Sequence, residues 1–114
     1  MKKEISMGRH LILEVYNVSF DLLNDLQSLV EVLRKGIERS KMNILNIFSH
    51  QFSPYGVTII FALEESHVSI HTFPEMNSLT ADAYTCGDGN PKMIMNLLLQ
   101  YCNSESYELR DLYR

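Results

Sequence analysis

Cysteine is scarce in this chain, with only Cys86 and Cys102 among 114 residues. Two thiols make no disulfide framework, which points to a reducing compartment. Long apolar runs are missing too. Val57 to Leu63 and Leu97 to Leu99 fall far short of the ~20 residues needed to cross a bilayer, and Met1-Lys2-Lys3-Glu4 has no apolar segment like a secretion signal. A cytoplasmic protein with no membrane partner is expected. Basic charge is in deficit, 10 Lys and Arg against 14 Asp and Glu for a net charge of −4, so there is no lysine- or arginine-rich face to displace phosphate counterions. That argues against nucleic acid as a partner and suits a small cationic ligand. Internal repeats, low-complexity tracts and linker-like stretches are absent, and Gly87-Asp88-Gly89 lacks the lysine and longer glycine spacing of a phosphate cradle.

What is present suffices for one core. With 46% hydrophobic content in 114 residues, the chain can close a single interior but not two, so residues 1–114 read as one domain. Leu11 to Tyr16 alternates as a first strand. Ser19 is placed to cap a helix whose Leu22, Leu26, Leu29, Val30, Leu33 and Ile37 recur at helical spacing, ending near Ser40. Met42 to Phe52 is a second strand, and Ser53-Pro54-Tyr55-Gly56 is a turn into Val57 to Leu63 and then His67 to Phe73. A fifth strand, Leu79 to Thr85, leads to a helix capped by Asn90 with Pro91 in its first position, Ile94, Leu97, Leu98 and Tyr101 inward and an end near Asn103. Tyr107 and Leu109 belong to a last edge strand. These elements imply an α+β two-layer sandwich, a mainly antiparallel sheet with two helices on one face.

Alternation limits the register of the central hairpin. Burying Val57, Ile59, Phe61 and Leu63 on the same side as Val68 and Ile70 requires an odd residue opposite an even one, which Ile59 opposite Ile70 satisfies when a tight two-residue connection joins the strands. Thr58 then faces His71 on the side away from the helices, with Ser69 and Phe73 nearby. Ser66 falls at the turn, and bringing it onto that same surface needs a bulge or bend.

The segment Glu65-Ser66-His67-Val68-Ser69-Ile70-His71-Thr72-Phe73-Pro74-Glu75 concentrates a serine, two histidines and two carboxylates. Ser66 alone is an ordinary turn serine. At a strained turn with a base at hand, however, its hydroxyl can attack the preceding carbonyl, turning the Glu65-Ser66 amide into an ester. Elimination then breaks the chain, and the dehydroalanine left at residue 66 loses ammonia to water and becomes a pyruvoyl group. His71 is either a hydrogen-bonded sheet histidine or a proton carrier for this step. His67 and His71 lie about 13 Å apart along a strand, too far to share one zinc ion, so no metal is expected. His10 and His50 read as surface or packing residues. Cys86, before a glycine, is either an inert thiol or a tuned acid, while Cys102 on the helix fits the inert case. Glu75 can accept hydrogen bonds from ligand hydroxyls or sit idle in a loop, and Phe52 can stack on a flat ring or pack in the core.

Together with Gly8-Arg9-His10-Leu11, Pro54-Tyr55-Gly56-Val57 and Thr85-Cys86-Gly87, this segment closely resembles the bacterial and archaeal S-adenosylmethionine decarboxylase proenzymes, block by block from Gly8 to about Cys102. The resemblance implies self-cleavage between Glu65 and Ser66 into residues 1–65 and 66–114, with Ser66 becoming the pyruvoyl cofactor. It implies that His71 and the hydroxyl of Thr58, where the family often has serine, assist processing, and that Cys86 donates a proton in catalysis. Phe52 would stack on the adenine of S-adenosylmethionine and Glu75 would hold its ribose. The pyruvoyl ketone would form a Schiff base with the substrate amine. The product would be the aminopropyl donor for spermidine, and the enzyme a homodimer of cleaved protomers. The same chemistry on ornithine or arginine, or a non-enzymatic ligand-binding module with an inert Ser66, are the alternatives.

Overall fold

The computed structural model describes residues 7–86 and 89–114, so Met1-Lys2-Lys3-Glu4 and the pair Gly87-Asp88 lie outside the described residues. The chain runs β1 (Arg9–Tyr16), α1 (Phe20–Leu23), α2 (Leu26–Arg39), β2 (Ile44–Gln51), β3 (Val57–Leu63), β4 (Ser66–Phe73), a 3₁₀ turn (Pro74–Met76), β5 (Ser78–Thr85), α3 (Pro91–Cys102) and β6 (Ser106–Tyr113). The strands form one six-stranded sheet in the order β2-β3-β4-β5-β1-β6. All five pairings are antiparallel. The helices cover one face and the other is open, which is the expected two-layer α+β arrangement. No helix among the described residues is long and apolar enough to cross a membrane.

Period-two alternation builds the core. Leu11, Leu13 and Val15 of β1, Val57, Ile59, Phe61 and Leu63 of β3, and Val68 and Ile70 of β4 are buried beneath Leu29, Leu33 and Ile37 of α2 and Ile94, Met95 and Leu98 of α3. Ile59 pairs with Ile70 and Thr58 with His71, the register expected from alternation and a tight two-residue connection. On α3 the core positions include Met95 and Cys102, while Leu97 and Tyr101 are only half-buried. Asn90 Oδ1 accepts from the Lys92 N–H, and Pro91 starts the helix as expected.

The helix expected from Ser19 to Ser40 is instead broken in two. Ser19 caps only the single turn of α1, and Asp25 caps α2 afresh through the Ser28 N–H and hydroxyl. Asn24, at the break, spends its side-chain oxygen elsewhere. It accepts from the Gly56 N–H at 2.9 Å and from Gln51 Nε2 at 2.8 Å, pinning the β2–β3 turn. Gly56 adopts φ +108°, a conformation open to glycine at little cost.

Gly36 marks the crossing of α2 and α3, since a Cβ there would stand 2.9 Å from Ile94 Cα. The contact is with backbone, so the helices would have to separate. Gly36→Ala is expected to destabilise the fold by about 1–3 kcal/mol despite its better helix propensity, read as a lower denaturant midpoint.

Candidate active site

The residues singled out in the sequence fall into two groups at opposite ends of β4. The first is at its start. Glu64 is held by Asn43, whose Nδ2 donates to Glu64 Oε1 at 2.6 Å, and the two-residue link to β4 puts Glu65 at φ +57°, in the left-handed region. A non-glycine residue there carries backbone strain, on the acyl side of the bond proposed to break. Ser66 begins β4 and its Oγ accepts from the Cys86 N–H at 3.3 Å. Ser66, Thr85, Cys86, Lys41 and Met42 line one cavity of about 400 Å³. The Cys86 thiol, partly exposed, donates to the Tyr84 hydroxyl at 3.4 Å. When the phenol O–H donates to the sulfur instead, that bond, with a small desolvation and the negative charge of an ionised Cys86, holds the phenol above its usual pKa against the opposing charge of Arg114, which lies over the Tyr84 ring.

The second group is at the far end. Thr58 Oγ1 and His71 Nδ1 are 2.9 Å apart across β3 and β4 on the open face. Phe52 follows β2, with its N–H bonded to Gly56 O at 2.8 Å and its ring edge-to-face with His50 at 4.5 Å between centroids. It is exposed, at 47%, and so free of the core. Glu75 lies in the 3₁₀ turn after β4 and is also exposed. That turn ends at Asn77, whose Nδ2 donates to Val18 O, fixing it to the loop after β1.

The expectation that the chemical residues share one surface is therefore corrected for Ser66. The β3–β4 register runs unbroken to Leu63 opposite Ser66, with no bulge. Ser66 is in step with buried Val68 and Ile70 and takes the helix side, whereas His71 takes the open face. The register shift that does occur is in β2, between Ile44 and Asn46. Five residues of strand separate Ser66 from His71, about 16 Å of rise.

The open face also carries a cluster that local sequence patterns did not reveal. His67, Tyr84 and His10 stand in one row across β4, β5 and β1, with Ser69, Asp82 and Ile12 in the next. Asp82 Oδ2 bonds His10 Nε2 at 2.7 Å and His67 Nε2 at 3.3 Å, and Ser69 donates to Oδ1. Burial pushes the Asp82 carboxyl up, but the bonds from Ser69, His10 and His67 outweigh it and hold its pKa below the usual range. Only the register of strands distant in sequence could have disclosed this group.

The two thiols differ sharply. Burial pushes the Cys102 thiol up to about 12, which leaves it without appreciable thiolate at neutral pH. Iodoacetamide is expected to modify Cys86 in the native protein and spare Cys102, with both modified in denaturant; peptide mass mapping reads the difference.

Comparison with known proteins gives this arrangement its context. The sequence profile of the S-adenosylmethionine decarboxylase family matches residues 9–114. An S-adenosylmethionine decarboxylase proenzyme of Bacillus cereus is 36% identical over 110 residues, covering 96% of this chain and 89% of that one. One from Prochlorococcus marinus is 37% identical over 109 residues, 95% of this chain and 87% of the other. The crystal structure of the adenosylmethionine decarboxylase of Aquifex aeolicus superposes with a TM-score of 0.87 at 26% identity, covering 97% of this chain and 92% of that one. With its strained Glu65, its Ser66 beside Cys86 and its Thr58–His71 pair, the chain belongs to the S-adenosylmethionine decarboxylase family.

Proposed function

We propose that this chain is a proenzyme that cuts itself between Glu65 and Ser66 and then decarboxylates S-adenosylmethionine. The single observation that carries the first half is the strained Glu65 immediately before a serine whose hydroxyl lines a cavity with Cys86. Attack of Ser66 Oγ on the Glu65 carbonyl carbon exchanges the amide for an ester and relieves the turn. Removal of the Ser66 α-proton expels the Glu65 carboxylate, and hydrolysis of the resulting dehydroalanine releases ammonia. The Ser66 oxygen leaves with the Glu65 carboxylate and the ketone oxygen comes from water, so the group would be held at residue 66 in the cavity it shares with Cys86, whose N–H lies 3.3 Å from Ser66 Oγ before the cut. A pyruvoyl group there supplies an electron-withdrawing carbonyl that accepts the pair released as carbon dioxide departs. Cys86, backed by the Tyr84 hydroxyl, returns a proton to the substrate α-carbon.

The partner required is a second copy. Within one protomer Thr58 and His71 lie about 16 Å along β4 from Ser66 and on the other face. Phe52 and Glu75 lie at that same far end. We read each site as composite: Glu65, Ser66 and Cys86 from one protomer, with Thr58, His71, Phe52 and Glu75 from its partner. Phe52 stacks on the adenine and Glu75 accepts from the ribose hydroxyls.

Carbon dioxide release from carboxyl-labelled S-adenosylmethionine, ornithine and arginine tests the substrate. Release from S-adenosylmethionine is expected, and Phe52→Ala should weaken its apparent binding about tenfold or more while leaving self-cleavage intact, since a stacked base is worth roughly 1–3 kcal/mol. Release from ornithine or arginine alone would reject the adenosyl pocket.

A further inference from the structure

The geometry points to a divalent transition-metal site formed by His10, His67 and Asp82 on the open sheet face; we propose that it takes Zn²⁺. The three ligand atoms, two imidazole nitrogens and one carboxylate oxygen, lie within 4.8 Å of one another. None of the three is used by the catalytic scheme above.

The strand register makes the convergence firm. His10 and His67 flank Tyr84 from β1 and β4, and Asp82 is two residues along β5 between them, so each ligand comes from a different strand of a continuous hydrogen-bonded sheet. Both Nε2 atoms approach the same oxygen, Asp82 Oδ2, at 2.7 and 3.3 Å. A tetrahedral zinc ion with bonds of about 2.0–2.2 Å spaces its ligand atoms roughly 3.3 Å apart, so the cluster opens around an ion with only small side-chain shifts. Ser69 donates to the other carboxylate oxygen and orients Asp82, the supporting contact that such ligands commonly have. Access is adequate, because the side chains of His10, Asp82 and His67 are 17%, 25% and 43% exposed. Two imidazoles with one carboxylate suit Zn²⁺ and its first-row neighbours better than Mg²⁺ or Ca²⁺, which prefer oxygen ligands.

The placement also gives the ion a role, which rests on the proposed cleavage. His10 lies in residues 1–65, whereas His67 and Asp82 lie in residues 66–114. One ion therefore ties the two product chains together, with His67 the second residue after the cut.

The test titrates metal-free, uncleaved Ser66→Ala protein with Zn²⁺ against a chromophoric chelator, so its result does not depend on cleavage or activity. One equivalent is expected to bind per chain, with affinity at least tenfold weaker in His10→Ala and in Asp82→Asn, each checked for folding by circular dichroism. Co²⁺ in place of Zn²⁺ should give visible absorption of a nitrogen- and oxygen-bound ion without a thiolate charge-transfer band. Failure to bind, unchanged affinity in folded His10→Ala, or a thiolate band marking Cys86 as a ligand would each overturn the site. In the wild-type protein, Zn²⁺ should raise the Tm of the cleaved form, and the rise should vanish in His10→Ala.

Discussion

Denaturing mass spectrometry of the wild-type protein after long incubation is expected to replace the 13.2 kDa chain with two fragments, residues 1–65 and 66–114, the second lacking a free amino terminus. Ser66→Ala should remain whole and inactive, because the hydroxyl that attacks Glu65 is gone while the backbone is little disturbed. Relief of backbone strain at Glu65 also predicts that Glu65→Gly cuts more slowly, since glycine takes positive φ at little cost. A wild-type chain that stays whole under every condition would remove the enzymatic reading altogether. Ser66→Ala that still cuts at the same bond would remove Ser66 as the nucleophile.

Much of this fold is legible in the residue order because its strongest signal, period-two alternation, is local. Val57 to Leu63 and Val68 with Ile70 leave only odd-opposite-even pairings, the tight two-residue connection selects among them, and Ile59 does pair with Ile70. The Thr58–His71 contact follows from that register alone. The helix break was hidden for the opposite reason. The apolar stripe continues from Leu22 to Leu26 through Asn24 and Asp25, and only the distant turn at Gly56 gives Asn24 its tertiary task. The side taken by Ser66 was missed because a chemical expectation, that reacting groups share a surface, competed with alternation, and alternation held as far as Leu63 opposite Ser66. His10 shows no local pattern because its partner Asp82 is 72 positions away and the two meet only through β1–β5 pairing. Motif order identified the family, but which end of β4 each motif residue occupies is a matter of three-dimensional register.

A composite site predicts complementation between two dead chains. His71→Ala alone should process at least about 10²-fold more slowly if the residue moves protons in elimination. Ser66→Ala cannot process at all. Co-expressed with distinguishable tags, the two variants form heterodimers in which an intact Ser66 on the His71→Ala chain meets an intact His71 on the Ser66→Ala chain. Cleavage should return, and only in the His71→Ala chain. The other site of the same heterodimer lacks both groups and stays closed. If each protomer instead served its own serine, every site in the mixture would lack one group and no cut would return. Cys86→Ala separates the later chemistry: Cys86 lies beside Ser66 at the near end of β4, so this variant should still cut, with His71 supplied by its partner, yet lose about 10²- to 10⁴-fold in carbon dioxide release. Supplying Cys86→Ala with a wild-type partner should restore release only at sites where the pyruvoyl-bearing chain carries its own cysteine, because the thiol acts in the cavity it shares with residue 66. Release instead at the site whose pyruvoyl-bearing chain carries Cys86→Ala would move the proton donor to the partner and redraw the division of the site between the two protomers.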